Sequence, residues 1–138
     1  MIKEIVKDEN ILTKKSERFE FGKDDYIIQD MIDTAEYHKE NCAGLAAIQI
    51  GVPKRVILVR INDKFLPFIN PIIIQKSKET YTVKEMCLSL DGAREVKRHQ
   101  GIKVIYSTKD GKSKCMSFSG FIAEIIQHEC DHLNGVLI

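Results

Sequence analysis

The sequence predicts an α+β fold in which mostly antiparallel β-sheets surround a C-terminal helix, with a second helix near the N-terminus. Strand-like runs rich in β-branched residues follow one another through the middle of the chain. An Asp-Gly pair at 110–111 separates the last two runs, as in a β-hairpin. A helical pattern then follows. Strands in succession and one helix after them are typical of α+β domains.

Apolar spacing predicts two helices. The first is predicted over 24–41, with Asp24 or Asp25 as its N-cap. The second is predicted over 121–133, followed by Gly135, which suits a left-handed C-terminal cap.

Short β-rich runs predict the strands, and turn residues separate them. Asn70-Pro71 is a turn or sheet-edge signal, so the apolar residues on its two sides are predicted as separate strands. Residues 109–112 form the predicted hairpin turn. The predicted strands are 2–6, 55–61, 65–69, 72–74, one beginning at 80–83, 102–108 and 114–118.

Composition is consistent with one domain spanning residues 1–138. The chain is 43% hydrophobic and 30% charged, which supports a real core. Its 21 basic and 20 acidic residues give a net charge of +1, which argues against DNA binding by bulk charge. No apolar run approaches the roughly 20 residues that span a bilayer, and no signal segment is visible. We expect a cytoplasmic monomer with free thiols or metal-bound cysteines and no membrane partner.

Residues 127–132 read Q-H-E-C-D-H, which places two histidines one turn apart on the last helix. Positions i and i+4 differ by about 40° around the helix axis, so His128 and His132 can bind one ion. Glu129 is rotated by about 100° and reaches the ion's water instead. The pattern predicts a metal-dependent hydrolase with Glu129 as acid/base. The alternative is a helix whose histidines and acids face solvent.

The two residues inside this motif have different expected roles. Cys130 lies about 200° from His128 around the helix, so it is expected to pack in the core. Asp131 is expected to orient the site, to form a buried salt bridge or to be solvated.

A catalytic site usually has three protein ligands and one open position, so a third ligand is needed. Only six residues follow His132, and none is a strong ligand. The third ligand must therefore precede the helix. Cys87, at the end of a predicted strand, is the best candidate, and spacing alone leaves four rivals: Cys42, Cys115, His38 and His99.

Three segments in order resemble the peptide deformylase family. Residues 42–49 read C-A-G-L-A-A-I-Q against the family's G-x-G-L-A-A-x-Q, and residues 85–89 read E-M-C-L-S against E-G-C-L-S. Residues 127–132 match Q-H-E-x-D-H without a change. The resemblance covers essentially the whole chain and describes a short, divergent member without the C-terminal helix that many relatives have.

The resemblance implies a metal ion held by Cys87, His128 and His132, with water in the fourth position. The family typically uses ferrous iron (Fe2+), although zinc, nickel or cobalt can occupy the site. The implied reaction is removal of the formyl group from the N-terminal formyl-methionine of newly synthesised polypeptides. Glu129 would transfer the water's proton to the leaving amine, while the Gln49 amide and the Leu88 backbone N–H would stabilise the developing oxyanion.

The resemblance also implies that an N-formyl-methionyl nascent peptide binds as an added strand, with the ribosome near the exit tunnel as a further partner. The peptide track would include Ala43, Gly44 and Met86, and Ile125 would line the methionine pocket. Arg94 would have a structural role, such as pairing with one of two acids, Glu40 or Glu85.

Three departures from the family pattern bear on activity. Cys42 replaces a glycine and would be strained if that position needs a positive φ. Met86 replaces a glycine and would narrow or reshape the substrate pocket. Glu124 stands where many relatives have an apolar residue, and we expect it to face solvent.

Two other functions remain as alternatives. One is a zinc peptidase of the H-E-x-x-H type, although a downstream third ligand is absent. The other is a catalytically degenerate relative that only binds metal or peptide, which would not need Glu129 beside the ion.

Overall fold

A computed structural model describes all residues, 1–138. It contains three helices: α1 (Glu9–Leu12), α2 (Tyr26–Tyr37) and α3 (Gly120–Leu133). Short 3₁₀ turns lie at Lys39–Asn41 and Ala47–Ile50. The seven strands are β1 (Gly44–Ala46), β2 (Val56–Ile61), β3 (Lys64–Lys76), β4 (Thr80–Cys87), β5 (Leu90–His99), β6 (Gly101–Ser107) and β7 (Ser113–Ser119).

The strands form two antiparallel sheets. Five strands pair in the order β1-β2-β3-β6-β7, and β4 pairs with β5 as a separate hairpin. This architecture confirms the predicted α+β fold with mostly antiparallel sheets and a C-terminal helix. No helix is long and apolar enough to cross a membrane.

Helices α2 and α3 pack on opposite faces of the five-stranded sheet. Side chains alternate between the faces of a strand, and β2 is buried on both. Ile57 and Val59 belong to the core that contains α3, whereas Val56 and Leu58 belong to the core that contains α2. Because β1 and β2 lie between the two helices, α3 packs directly beside the segment 42–49 that contains β1.

The predicted helices are present with shifted ends. Helix α2 begins at Tyr26, and Asp25, one of the two predicted residues, occupies its N-cap position. The Asp25 side chain forms no capping hydrogen bond, because its carboxylate accepts from the Gly22 N–H, and that of Asp24 accepts from the Glu20 N–H. Helix α3 ends at Leu133 as predicted, and Gly135 has a φ of 76°. A Cβ there would collide with the Thr13 carbonyl, so the position requires glycine.

Two strand predictions were wrong. Residues 2–6 form no strand, and the Val6 N–H donates instead to the Gln49 carbonyl in a 3₁₀ turn, at 2.8 Å. Strand β3 continues through Asn70-Pro71 instead of ending there. Asn70 has a φ of 49° within a register shift, so the pair marks a β-bulge, which accommodates the missing proline N–H.

Strand β5 was not predicted because its charged residues obscure the alternating pattern. The β4–β5 hairpin contains a register shift between Glu85 and Cys87. This irregular end of the hairpin brings Cys87 toward α3. By contrast, the predicted hairpin between β6 and β7 is confirmed, with Gly111 at a φ of 81° in its turn.

Candidate metal centre and active site

His128 and His132 both lie on the buried side of α3. Their ring centroids are 5.0 Å apart, and His132 is fully buried. The sheet against which α3 packs excludes water from this side of the helix. The predicted pairing of two imidazoles one turn apart is therefore present in the fold.

Cys87 is the third residue at this point. The ligand atoms of Cys87, His128 and His132 all lie within 4.8 Å of one another. The rivals lie outside this group: Cys115 is exposed on β7, and the His99 ring contacts the Ser77 carbonyl at 2.7 Å. The structure thus brings together the thiol and two imidazoles that the resemblance implies.

The chemistry of this donor set fits a metal ion. Both ring nitrogens of His132 are buried, and neither has a hydrogen-bond partner in the protein. Buried polar atoms without partners are rare in folded proteins, so such a ring is a ready ligand. Burial and the neighbouring charges of His128 and Arg98 lower the pKa of His132 to about 3. The ring is therefore neutral, as a metal ligand must be.

His128 is oriented by a carboxylate. Its Nδ1 lies 2.7 Å from Glu85 Oε1, which leaves Nε2 as the ligand atom. Burial lowers the pKa of His128, but hydrogen bonds with Cys87 and Glu85 outweigh it and raise the value to about 10. The proton held between imidazole and thiol is the one that a bound metal would displace.

An arginine in turn neutralises Glu85. Arg98 donates to Glu85 from Nη2 at 2.7 Å and from Nε at 3.0 Å, and to Asp131 from Nη1 at 2.6 Å. Burial raises the pKa of Glu85, but hydrogen bonds from His128 and Arg98 outweigh it and lower the value to about 2. The carboxylate is therefore ionised and bonded on both oxygens.

These contacts correct one prediction and decide two others. Arg94 lies opposite Glu85 in the strand register but forms no ion pair with it; Arg98, four residues later, does so. Asp131 is a salt-bridge partner, one of its three expected roles. Cys130 packs in the core as expected, and burial raises the pKa of its thiol to about 12.

Glu129 is buried beside the metal-binding group. Its Oε1 has no hydrogen-bond partner, and the side chain lines the cavity next to His128. Burial raises the pKa of Glu129 to about 7, although the charge of His128 partly opposes this shift. A carboxyl whose pKa lies near neutrality is suited to both accepting and donating a proton.

Gly44 makes room for this carboxylate. A Cβ at Gly44 would lie 2.7 Å from Ile125 Cγ2 and 2.9 Å from Glu129 Oε2. The glycine is thus required by side chains packed against it, and its φ is not positive. Cys42, the substituted glycine nearby, has an ordinary β conformation with a φ of −130°, so the expected strain is absent.

Gln49 points an amide into the site. Its Oε1 accepts from the Ala46 N–H at 3.0 Å, and its Nε2 donates to Ser89 Oγ at 3.1 Å and to Cys87 Sγ at 3.8 Å. The Ser89 N–H also contacts Cys87 Sγ at 3.3 Å. The Gln49 amide and the Ser89 N–H therefore both contact the Cys87 sulfur.

A cavity of about 200 Å³ opens onto the metal-binding group. Every predicted site residue except the deeper His132 lines this cavity. Met86 stands at its rim with 76% of its surface exposed. Glu124 also lines it, which corrects the expectation that this side chain faces solvent. The lining residues from the predictions are Ala43, Gly44, Gln49, Met86, Cys87, Leu88, Ile125, His128 and Glu129.

Several residues around the site were not predicted, among them Phe121, which lines the cavity. Arg98 and Ser89 support the metal-binding group, and Tyr81 donates to Glu124 Oε1 at 3.0 Å. Alternation along β4 was a usable signal, because Tyr81, Glu85 and Cys87 are two or four residues apart and share one face. Nothing local distinguishes Arg98 from the other cations of β5.

A cavity that combines a Cys-His-His group with a buried acid of near-neutral pKa defines a metal-dependent hydrolase. The sequence model of the polypeptide deformylase family matches residues 2–138. The chain belongs to this family. The predicted activity is confirmed: the chain is a metal-dependent hydrolase that removes the formyl group from the N-terminal formyl-methionine of new polypeptides.

Individual relatives in sequence and in structure are also peptide deformylases. The peptide deformylase of Clostridium beijerinckii is 46% identical over 139 residues, which cover 100% of both chains. Peptide deformylase 1 of Rickettsia conorii is 41% identical and covers 81% of this chain and 69% of its own length. A class I type b peptide deformylase from Acinetobacter baumannii, solved with Met-Ala-Ser, superposes with a TM-score of 0.89 at 32% identity. That match covers 99% of this chain and 97% of the other.

Proposed function

We propose that residues 1–138 form one catalytic domain that hydrolyses N-formyl-methionyl peptides in the cavity beside Cys87, His128 and His132. The observation that carries this assignment is the unpartnered, buried His132 ring, which lies within 4.8 Å of the other two ligand atoms. Glu129 lies beside that group with a free Oε1. A purely structural metal site would not need such an acid.

Glu129 is proposed to move the proton. When bound, a divalent metal supplies Lewis-acid polarisation of the formyl carbonyl and a lower pKa for water in the site. Ionised Glu129 accepts a proton from that water while the oxygen of the water bonds to the formyl carbon. The same carboxyl then returns the proton to the nitrogen of the leaving amine. Burial raises the pKa of Glu129 to about 7, which favours both transfers near neutral pH.

Gln49 and Leu88 are proposed to stabilise the oxyanion that forms when the formyl carbonyl is attacked. The Gln49 Oε1 is fixed by the Ala46 N–H, which turns the donating Nε2 toward Cys87. The Leu88 N–H forms no turn hydrogen bond and borders the same cavity. Two donors placed before the reaction stabilise developing charge without reorganisation.

The substrate is proposed to bind as an extra strand at the edge of the sheet. Strand β1 is an edge strand, so a peptide can add to its outer side, where the Gly44 carbonyl accepts only a weak hydrogen bond from the Cys42 thiol. Ala43 and Met86 flank this edge, and Ile125 contributes apolar surface to the cavity. The Acinetobacter baumannii relative was solved with a tripeptide, Met-Ala-Ser, which supports a peptide ligand for this fold.

Ferrous iron is proposed as the native ion. One thiolate and two imidazoles suit iron, zinc, nickel and cobalt, so the donor set supports this choice without singling it out. A cytoplasmic monomer that meets its substrate near the ribosomal exit tunnel is part of the same proposal, because the substrate is a nascent chain.

A product assay tests the proposed function. Anaerobically prepared protein is given formyl-Met-Ala-Ser and, separately, a longer peptide with a free N-terminus. We expect formate and free Met-Ala-Ser from the first and no fragments from the second. Internal cleavage without formate release would instead indicate a peptidase.

A further inference from the structure

Glu124 forms part of the cavity wall one helical turn before His128. The side chain is half-buried, and it borders the cavity together with Phe121 and Ile125 from the same helix. Positions i and i+4 share one helix face, so Glu124 and His128 face the same space. A carboxyl therefore lies between the apolar Phe121 and Ile125 and the metal-binding group in the cavity wall.

Tyr81 holds this carboxyl in place from the neighbouring sheet. Its hydroxyl donates to Glu124 Oε1 at 3.0 Å and so connects β4 to α3. Burial and the hydrogen bond to Glu124 raise the pKa of Tyr81 to about 12, so the hydroxyl remains a donor. Burial and the adjacent Glu85 raise the pKa of Glu124, as expected for a carboxyl already partly removed from water.

The first side chain of the substrate must enter this space. In a formylated amine the Cα lies only two bonds from the formyl carbon, a distance of about 2.4 Å. A formyl group at the metal-binding group therefore places the first side chain within the same cavity. The walls available to it on α3 include the polar Glu124, which Tyr81 bonds from outside the lining, and the apolar pair Phe121 and Ile125.

Building on the proposed function, we propose that Glu124, anchored by Tyr81, is a specificity-determining residue for the first side chain of the substrate. The anchored Glu124 carboxyl gives this wall a hydrogen-bonding group, which weakens the preference for an apolar side chain and admits one that carries an amide, such as glutamine.

The physical reason is desolvation. A thioether or alkyl chain pressed against Glu124 displaces water from the carboxyl and returns no strong hydrogen bond. An amide of similar length donates to the ionised carboxylate or accepts from the protonated carboxyl, so it is satisfied in either state. An apolar residue at 124 would reverse this balance, because it would leave the amide without a partner.

The test compares kcat/KM for formyl-Met-Ala-Ser, formyl-norleucyl-Ala-Ser and formyl-Gln-Ala-Ser. We expect Glu124→Leu to raise the methionine-to-glutamine ratio about tenfold, as for loss of one hydrogen-bond partner. Norleucine, which is apolar and of the length of methionine, should follow methionine. Metal content is measured in each preparation, so a damaged metal site is distinguished from altered specificity.

Three further variants keep the test decisive. Glu124→Met replaces Glu124→Leu if the latter does not fold, and Glu124→Gln, which retains hydrogen bonding, should change the ratio by less than about threefold. Tyr81→Phe should raise the ratio in the same direction as the apolar variants. An unchanged ratio in metal-loaded apolar variants would overturn the inference. Failure of the metal-loaded protein to release formate from any of the peptides would instead overturn the proposed function.

Discussion

Glu85 Oε1 lies 2.7 Å from His128 Nδ1 and thereby fixes which imidazole nitrogen faces the metal-binding group. The same carboxylate is bonded twice by Arg98, which also bonds Asp131. The orientation of a metal ligand on α3 thus depends on an arginine from β5. Partners of this kind influence metal affinity as well as ligand position.

Removing Arg98 should weaken metal binding. Arg98→Ala leaves the buried Glu85 carboxylate without its counter-charge, so the carboxylate no longer holds His128 in place. We expect metal affinity and kcat/KM to fall by about 10- to 100-fold. A chelator competition titration measures the affinity. Arg94→Ala, a cation on the same strand without an ion pair, is the matched control and should change the affinity little.

Gly44 should tolerate no side chain. The Cβ of Gly44→Ala would lie within 3.0 Å of Ile125 and Glu129, so one of them must move. We expect a loss of about 1–3 kcal/mol in the free energy of unfolding and a fall in kcat of at least tenfold. Gly101→Ala is the control, since its Cβ would make only ordinary contacts. Equal effects at the two positions would contradict this account of Gly44.

The pKa of Glu129 predicts a pH-dependent stability in metal-free protein. The carboxyl has a pKa of about 7 when folded against 4.5 ordinarily, so the folded chain binds its proton more tightly. The free energy of unfolding therefore falls as pH rises from about 4.5 to about 7. Glu129→Gln removes this fall. The free energy of unfolding of Glu129→Gln, relative to that of the unsubstituted chain, should therefore increase by roughly 2–3 kcal/mol across that window.

Urea denaturation with chelator present, at about pH 4.5 and pH 8, measures this difference. Other titrating groups are shared by the two proteins, so they largely cancel in the comparison. A difference in free energy of unfolding between the two proteins that does not change with pH would contradict the raised pKa of Glu129.

Glu129 should be required for turnover but not for metal binding. Glu129→Gln retains the shape of the side chain but cannot accept a proton, so kcat should fall at least 100-fold. The metal-to-protein ratio should stay within error of that of the unsubstituted chain, because Glu129 is outside the Cys-His-His group. Turnover that survives this change would refute the acid/base role.

Local patterns in the sequence predicted much of the fold. Helical spacing gave α2 and α3, and the Asp-Gly turn gave the β6–β7 hairpin. The errors arose where tertiary contacts override local signals. Asn70-Pro71 is read as a break, yet the Asn70 side chain bonds to both backbone groups of Phe19 and stabilises a bulge within one long strand.

The site was predictable where one element carries the chemistry. His128, Glu129 and His132 follow from helix geometry alone. Geometry did not select Cys87 over its rivals, because that choice depends on how β4 meets α3. Arg98 was missed because its contact with Glu85 runs diagonally across the hairpin: the register sets Arg94 opposite Glu85 and Arg98 opposite Tyr81.

The most direct test of the account is anaerobic metal analysis combined with formate release from formyl-Met-Ala-Ser, for the unsubstituted chain, Cys87→Ala and Cys130→Ala. We expect about one metal ion per chain and activity in the first and third proteins, since Cys130 packs in the core. Cys87→Ala should lose both metal and formate release. Metal and activity retained in Cys87→Ala, or activity in chelated protein, would contradict the account.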